Sequence, residues 1–188
     1  MILFAIKNSD DGNVINHDDI SEKDREMLLD CFHRTRCKRF KEMYKEDIIF
    51  TYLVRDAWFR FLVSIEVFRN GMVVIQNGDI TTESYIDGLY IRSIINIIDK
   101  NSDFLCSDDT VLEDNHYTDG QKYDVILSNG KVNYYFDEYN IQCYTRKYPI
   151  GYKIKGIVTD IINILRVADV ECDNKYVYGW LDKPREEE

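Results

Sequence analysis

Two short stretches, RNGMV at residues 69–73 and SNGKV at residues 128–132, each set an Asn-Gly pair between segments rich in β-branched and aromatic residues. Asn-Gly tolerates positive φ and is the strongest short-range signal for a β-hairpin. The chain therefore has to accommodate at least two antiparallel strand pairs. Upstream of the first turn, residues 58–68 place Phe59, Phe61, Val63, Ile65 and Val67 on one face with period two, and Arg60, Ser64 and Glu66 on the other. Residues 72–76 form the return strand. Around the second turn, residues 123–127 and 131–136 make the pair. Val132, Tyr134 and Phe136 are expected to face a core, and Asn133 and Tyr135 to face away.

Each hairpin precedes an apolar stripe at helical spacing. Residues 82–99 carry Ile86, Leu89, Tyr90, Ile94, Ile97 and Ile98, and residues 152–167 carry Ile154, Ile157, Val158, Ile161 and Leu165. SIINIIDK in the first resembles DIINILRV in the second. Two ββα units in the same order read as a pseudo-repeat, against the alternative that Ile-rich helices simply look alike. The expected class is α+β: an antiparallel sheet of four strands with helices packed on one face, plus an N-terminal strand and helix.

The remaining segments fit round this frame. Residues 1–6 read as a strand and residues 8–19 as a loop. Ser21 with Asp24 three residues on marks a helix start that runs to Glu46. DIIFTYLV at residues 47–54 is a further strand, and KYVYGWL at residues 175–181 a last one. With 188 residues, the chain suffices for one domain burying about 70% of its extended surface. Within 1–188 the divisions are 1–57, a first unit at 58–100, an acidic loop at 101–122, a second unit at 123–168, and a final strand with an acidic tail at 169–188.

A net charge of −10 repels phosphate backbones except at a local basic patch, and it favours basic partners. The five cysteines form no CxxC pair, which fits free thiols in a reducing cytoplasm. No apolar run approaches the ~20 residues that span a bilayer, and the first residues lack a signal pattern. A cytoplasmic protein without membrane contact is expected.

Two features stand out as candidate surfaces. HRTRCKRFK at residues 33–41 holds five positive charges and no acid, with Arg34, Arg36, Lys38, Arg39 and Lys41 as candidates to meet phosphates or an acidic partner. The same run also complements a helix C-terminus. Residues 132–152 hold six tyrosines, of which Tyr135, Tyr139 and Tyr144, with Arg146, have the character of interface residues or base-stacking platforms. Asp114, His116 and Asp119 in the acidic loop are weak candidates for a divalent metal, although their spacing matches no EF-hand. The three histidines lie in separate contexts, and P-loop, GxSxG and GxGxxG patterns are missing. No cofactor is implied, and the balance is against an enzyme.

The expected function is a non-enzymatic, intracellular protein-binding module that occludes a partner's working surface. In size, acidity, compartment and want of catalytic motifs, the chain is similar to phage anti-defence proteins, anti-CRISPR inhibitors among them, and to toxin-immunity proteins. That likeness is one of overall character and is carried by no motif. The implied partner is a protein, such as a nucleic-acid-binding effector or a toxin, and a homodimer through a sheet edge is compatible with the pattern. The alternatives are a nucleic-acid binder using the basic helix and exposed tyrosines, and a metal-dependent hydrolase using the acidic loop.

Overall fold

The computed structural model describes residues 23, 38, 40, 41, 43–58, 60–105, 121–136, 150–177 and 181. The chain divides into two compact units, Met1–Tyr44 and Lys45–Glu188. In the first, residues 38, 40, 41 and 43 are helical, the Tyr44 N–H donates to the Phe40 carbonyl at 2.8 Å, and the Phe40 and Tyr44 rings lie 5.2 Å apart. The expected strand at residues 1–6 and most of the expected helix at residues 21–46 lie outside the described residues.

The second unit is built on a six-stranded antiparallel sheet. Its strands are β1 (Ile48–Arg55), β2 (Phe61–Phe68), β3 (Met72–Asn77), β4 (Ile80–Tyr85), β5 (Lys122–Ser128) and β6 (Asn133–Phe136), in the spatial order β4-β3-β2-β1-β5-β6. The helices are α1 (Gly88–Lys100), the short α2 (Ser102–Leu105) and α3 (Ile150–Val167). The antiparallel α+β class is as expected, but the sheet has two strands more than the four anticipated.

β1 occupies the middle because its sequence, IIFTYLVR, gives both faces something to bury. Phe50, Tyr52 and Val54 stand opposite Val67, Ile65 and Val63 on β2, and opposite Leu127, Val125 and Tyr123 on β5. All nine are buried in one apolar cluster with Ile91, Ile94 and Ile98 of α1 and Ile154, Ile157, Val158, Ile161, Ile162 and Leu165 of α3. Each such side chain contributes about 1.5–3 kcal/mol of burial free energy. The two long helices therefore share one face of the sheet and pack on each other. Tyr52 also stacks on Tyr123 at 6.1 Å, and its hydroxyl donates to the Val177 carbonyl at 3.2 Å.

Two irregularities shift the expected faces. Register slips between Ile48 and Phe50, and between Val54 and Arg55, are β-bulges. The second sets Phe61 opposite Arg55, on the face away from the helices, so Phe61 does not join Val63 as the alternation predicts. Leu62 takes the place beside the core instead.

The helix expected from residue 82 does not start there, because residues 80–85 form β4. Gly78, at φ +58°, closes a two-residue turn between the paired Asn77 and Ile80, and the β-branched Thr81 and Thr82 suit the strand that follows. The helix starts only where Asp87 caps it, its side chain accepting from the Leu89 N–H at 2.7 Å. Leu89, expected inward, is exposed, and the buried stripe is Ile91, Ile94 and Ile98. The other helix matches its expected inward residues. It ends in a Schellman-type turn: Asp169 takes φ +58° and the Val170 N–H donates to the Leu165 carbonyl.

The expected last strand does not begin at residue 175, and residues 178–180 lie outside the described residues. Residues 175–177 form a turn, set by the Asn174 side chain accepting from the Tyr176 N–H, and Val177 and Leu181 are buried in the cluster as covering residues. Val132, expected inward, precedes β6 and is exposed.

The two hairpins leave β1 in opposite directions. β2 and β5 both run antiparallel to β1 and so point the same way, but β3 lies outward on one side and β6 outward on the other. With both helices on one face, no rotation superposes hairpin plus helix on hairpin plus helix. The first unit also carries β4 as an additional strand.

Gly71 and Gly130 hold the turns at φ +92° and +87°, while the preceding asparagines keep ordinary backbone. A Cβ on Gly71 would come within 2.6 Å of the Ile86 carbonyl oxygen, and one on Gly130 would strike the Arg69 guanidinium. Gly71→Ala is therefore expected to destabilise the fold by about 1–3 kcal/mol, read as a lower urea midpoint with unchanged m-value.

Candidate functional site

The loop from β1 to β2, sequence DAWFR, exposes the largest apolar side chain in the described chain. Trp58 is 81% exposed. It is held by Asp56, whose Oδ1 accepts from the Trp58 N–H at 2.9 Å and the Arg60 N–H at 2.8 Å, while Oδ2 accepts from Arg60 Nε at 2.6 Å. The Asp56 N–H donates to the Arg60 carbonyl at 2.9 Å and closes the loop. A short polar residue that satisfies backbone N–H groups two and four positions on is the standard way to order a tight loop. Desolvation pushes the Asp56 carboxyl up, but the Arg60 and Trp58 hydrogen bonds and the Arg60 charge outweigh it and hold it below its ordinary value.

The register puts this loop at the same end of the sheet as the β3–β4 turn. The Gly78 N–H donates to the Leu62 carbonyl at 3.1 Å, and Ile80, just past that turn, is 67% exposed. Trp58 and Ile80 thus project from one end. β4 continues from there as an exposed edge, with Tyr85 at 71% exposure and Leu89 at 63% beyond it.

A second feature lies on the sheet face away from the helices. Arg55 on β1, Asp124 on β5 and Tyr135 on β6 form a row across three strands. The Arg55 guanidinium pairs with Asp124 Oδ2, and the Tyr135 hydroxyl donates to Asp124 Oδ1 at 2.5 Å. Asp124 is fully buried. Thr51, Ser64 and Ser128 on this face are buried too, as are Ile48 and Ile126. Glu66 is tied to Lys45 at 2.6 Å. A carboxylate already held by a guanidinium and a phenol is a structural anchor and not an open nucleophile or base.

Of the candidates read from sequence, Tyr135 faces away from the helices as expected, but it is half-buried and bonded to Asp124. Lys38 and Lys41 are exposed. Arg34, Arg36, Arg39, Tyr139, Tyr144 and Arg146 lie outside the described residues, as do Asp114, His116 and Asp119. Among the described residues no group of three or more His, Cys, Asp or Glu could hold a metal ion, and no helix is long and apolar enough to cross a membrane. Cys172 is buried, and burial, together with the Asp173 charge, pushes its thiol up to about 11. That leaves it a poor nucleophile at neutral pH.

Sequence reasoning missed Trp58 by assigning it to β2. The signal was present, since an Asp and an Arg four residues apart bracket the Trp between two β-rich runs. Asp124 offered no comparable signal, because its partners come from two other strands. No protein-family model matches the chain, and a search of curated proteins finds no match.

Two outcomes follow from these contacts. Asp124→Leu removes the carboxylate from a largely buried guanidinium and is expected to cost about 3–5 kcal/mol, while adding Arg55→Met and Tyr135→Phe recovers most of it in urea unfolding. For the loop, Asp56→Ala is expected to lower Trp58 fluorescence anisotropy in a Trp180→Phe background, and Asp56→Asn, which keeps Oδ1 but, like the protonated acid, loses the charge and the Oδ2 bond to Arg60, to lower it less. Because the native carboxyl is depressed, its anchoring is complete above the unfolded-state value of 3.8 and is lost as the pH falls through the lower native value. The anisotropy should therefore hold steady down to that point.

Proposed function

We propose that the chain is a non-enzymatic protein-binding module of the inhibitor or antidote type, acting by covering a partner's working surface. The observation that carries this reading is Trp58, 81% exposed on a loop that Asp56 holds in place. An exposed Trp is a large apolar surface in contact with water, and ordering its loop in advance removes much of the entropy cost of docking it. Ile80 at the same end extends the apolar contact. The acidic balance of −10 adds long-range attraction to a basic partner, such as a protein with a nucleic-acid groove, and favours fast, salt-sensitive association.

The two hairpins and the two Ile-rich helices act in this reading as a scaffold that braces the sheet end and edge offered to a partner.

The test is a photo-crosslinking amino acid at position 58 of the full chain, expressed in the source cells, with nuclease-treated and untreated lysates compared. A single crosslinked protein band that survives nuclease and disappears with Asp56→Ala is expected. Crosslinks to nucleic acid alone would replace this reading with the nucleic-acid binder, and no crosslink at all would reject position 58 as an interface. For a partner so identified, Trp58→Ala should raise Kd by about 30-fold or more while the unfolding midpoint changes little.

A further inference from the structure

Every strand in the sheet except the outermost two is paired on both sides, and those two differ sharply. β6 is largely buried, whereas β4 exposes every residue but the half-buried Ser84. β4 pairs with β3 in an unbroken register from Met72↔Tyr85 to Asn77↔Ile80, and among the described strands it has no partner on its other side. Edge strands are normally protected by proline, lysine, a bulge or a covering segment. The sequence ITTESY has neither proline nor lysine, its register has no slip, and among the described residues no strand pairs with its outer side.

Charge says what would add to this edge. Asp79 precedes the strand, Glu83 lies in it and Asp87 follows it. Asp87 is occupied as the cap of α1, with the Arg92 side chain close to the neighbouring Gly88. Asp79 and Glu83 make no ion pair among the described residues. Glu66, two strands inward on the same face as Glu83, is already neutralised by Lys45. A new strand beside β4 would set one side chain about 5 Å from Glu83, where a cation is favoured and an acid disfavoured. On the same face, two positions along, it would meet the exposed Tyr85 ring; on the helix side it would meet Ile80 and Thr82. A second copy of this chain brings its own charge of −10 and the same acidic edge, so charge disfavours self-pairing.

We infer that the free edge of β4 accepts an extended segment of a partner protein as a seventh strand, with a Lys or Arg opposite Glu83 and an apolar residue opposite Tyr85. Backbone hydrogen bonds supply the affinity in such strand addition, and alternate side chains supply the selectivity. This rests on the protein-binding reading above and gives the partner's chemistry.

The experiment pans a phage-displayed library of peptides about twelve residues long on the immobilised full-length protein, with Glu83→Lys as counter-target and Glu83→Gln as the neutral control. Circular dichroism checks that both variants keep the fold. Enriched peptides are expected to carry one Lys or Arg within a β-branched or aromatic run, with an apolar residue two positions from it, and to slow amide hydrogen exchange at residues 80–85. Glu83→Lys should weaken them about tenfold, with Glu83→Gln in between. Enrichment of acidic peptides, protection at another site, indifference to Glu83→Lys, or no enrichment would overturn the inference. So would light scattering that shows the wild-type protein dimeric and Glu83→Pro monomeric, since a second copy would then hold the edge. If the position-58 crosslink succeeds while the panning fails, the edge assignment falls and the protein-binding reading stands.

Discussion

β1 is the strand on which the unit spanning residues 45–188 depends. It pairs with β2, which follows it closely, and with β5, which arrives after the meander and two helices. The row Phe50, Tyr52 and Val54 lies between the hydrophobic faces of both hairpins, and each of its members is fully buried. The long closure that brings β5 to β1 is entropically unfavourable. It is offset by apolar contacts that no pair of neighbouring strands could make alone. Once β5 is seated, the position of α1 follows from the chain that joins them, and α3 fills the rest of the same face.

The two faces of the sheet solve different problems. The helix face is apolar and gains its stability from area removed from water. The opposite face buries polar groups, and each has to find a partner or lose the hydrogen bonds it made with solvent. Arg55, Asp124 and Tyr135 do this together, across three strands, in a register that only one alignment of β1, β5 and β6 permits. A slip of one residue would turn Asp124 into the apolar cluster. The polar row thus specifies the alignment that the apolar face rewards.

Among the described residues, the Asp56 loop and the β4 edge leave several large apolar side chains open to solvent, in addition to Val132 and Val167 elsewhere. The Asp56 loop orders Trp58 without burying it, and β4 stays extended through its pairing with β3 although its own side chains are exposed. Both features are maintained by local hydrogen bonds and not by burial of the residues themselves. Exposed apolar groups on a prepared backbone have the properties that protein recognition uses.

The local signals in the sequence were enough for β2, β3, β5, the Asn-Gly turns and the inward face of α3, because strand alternation, turn chemistry and helical periodicity all act within a few residues. They failed at residues 80–85, where an apolar period running into the helix concealed a strand that Gly78 turns back on β3. They failed at Phe61, which a bulge moved to the other face, and at residues 175–177, where Asn174 makes a turn of a β-rich string. The site followed the same division. The Asp-x-Trp-x-Arg spacing around Trp58 was legible, whereas the bond between Asp124 and Tyr135 was not. By itself the sequence determined an antiparallel α+β chain with two hairpins and an apolar helical layer. Only the tertiary structure decided that β1 lies at the centre, that the hairpins open in opposite directions, and that β4 is the outermost described strand on its side. Those outcomes depend on pairing between strands distant in the chain, and such pairing is decided by burial and register after collapse.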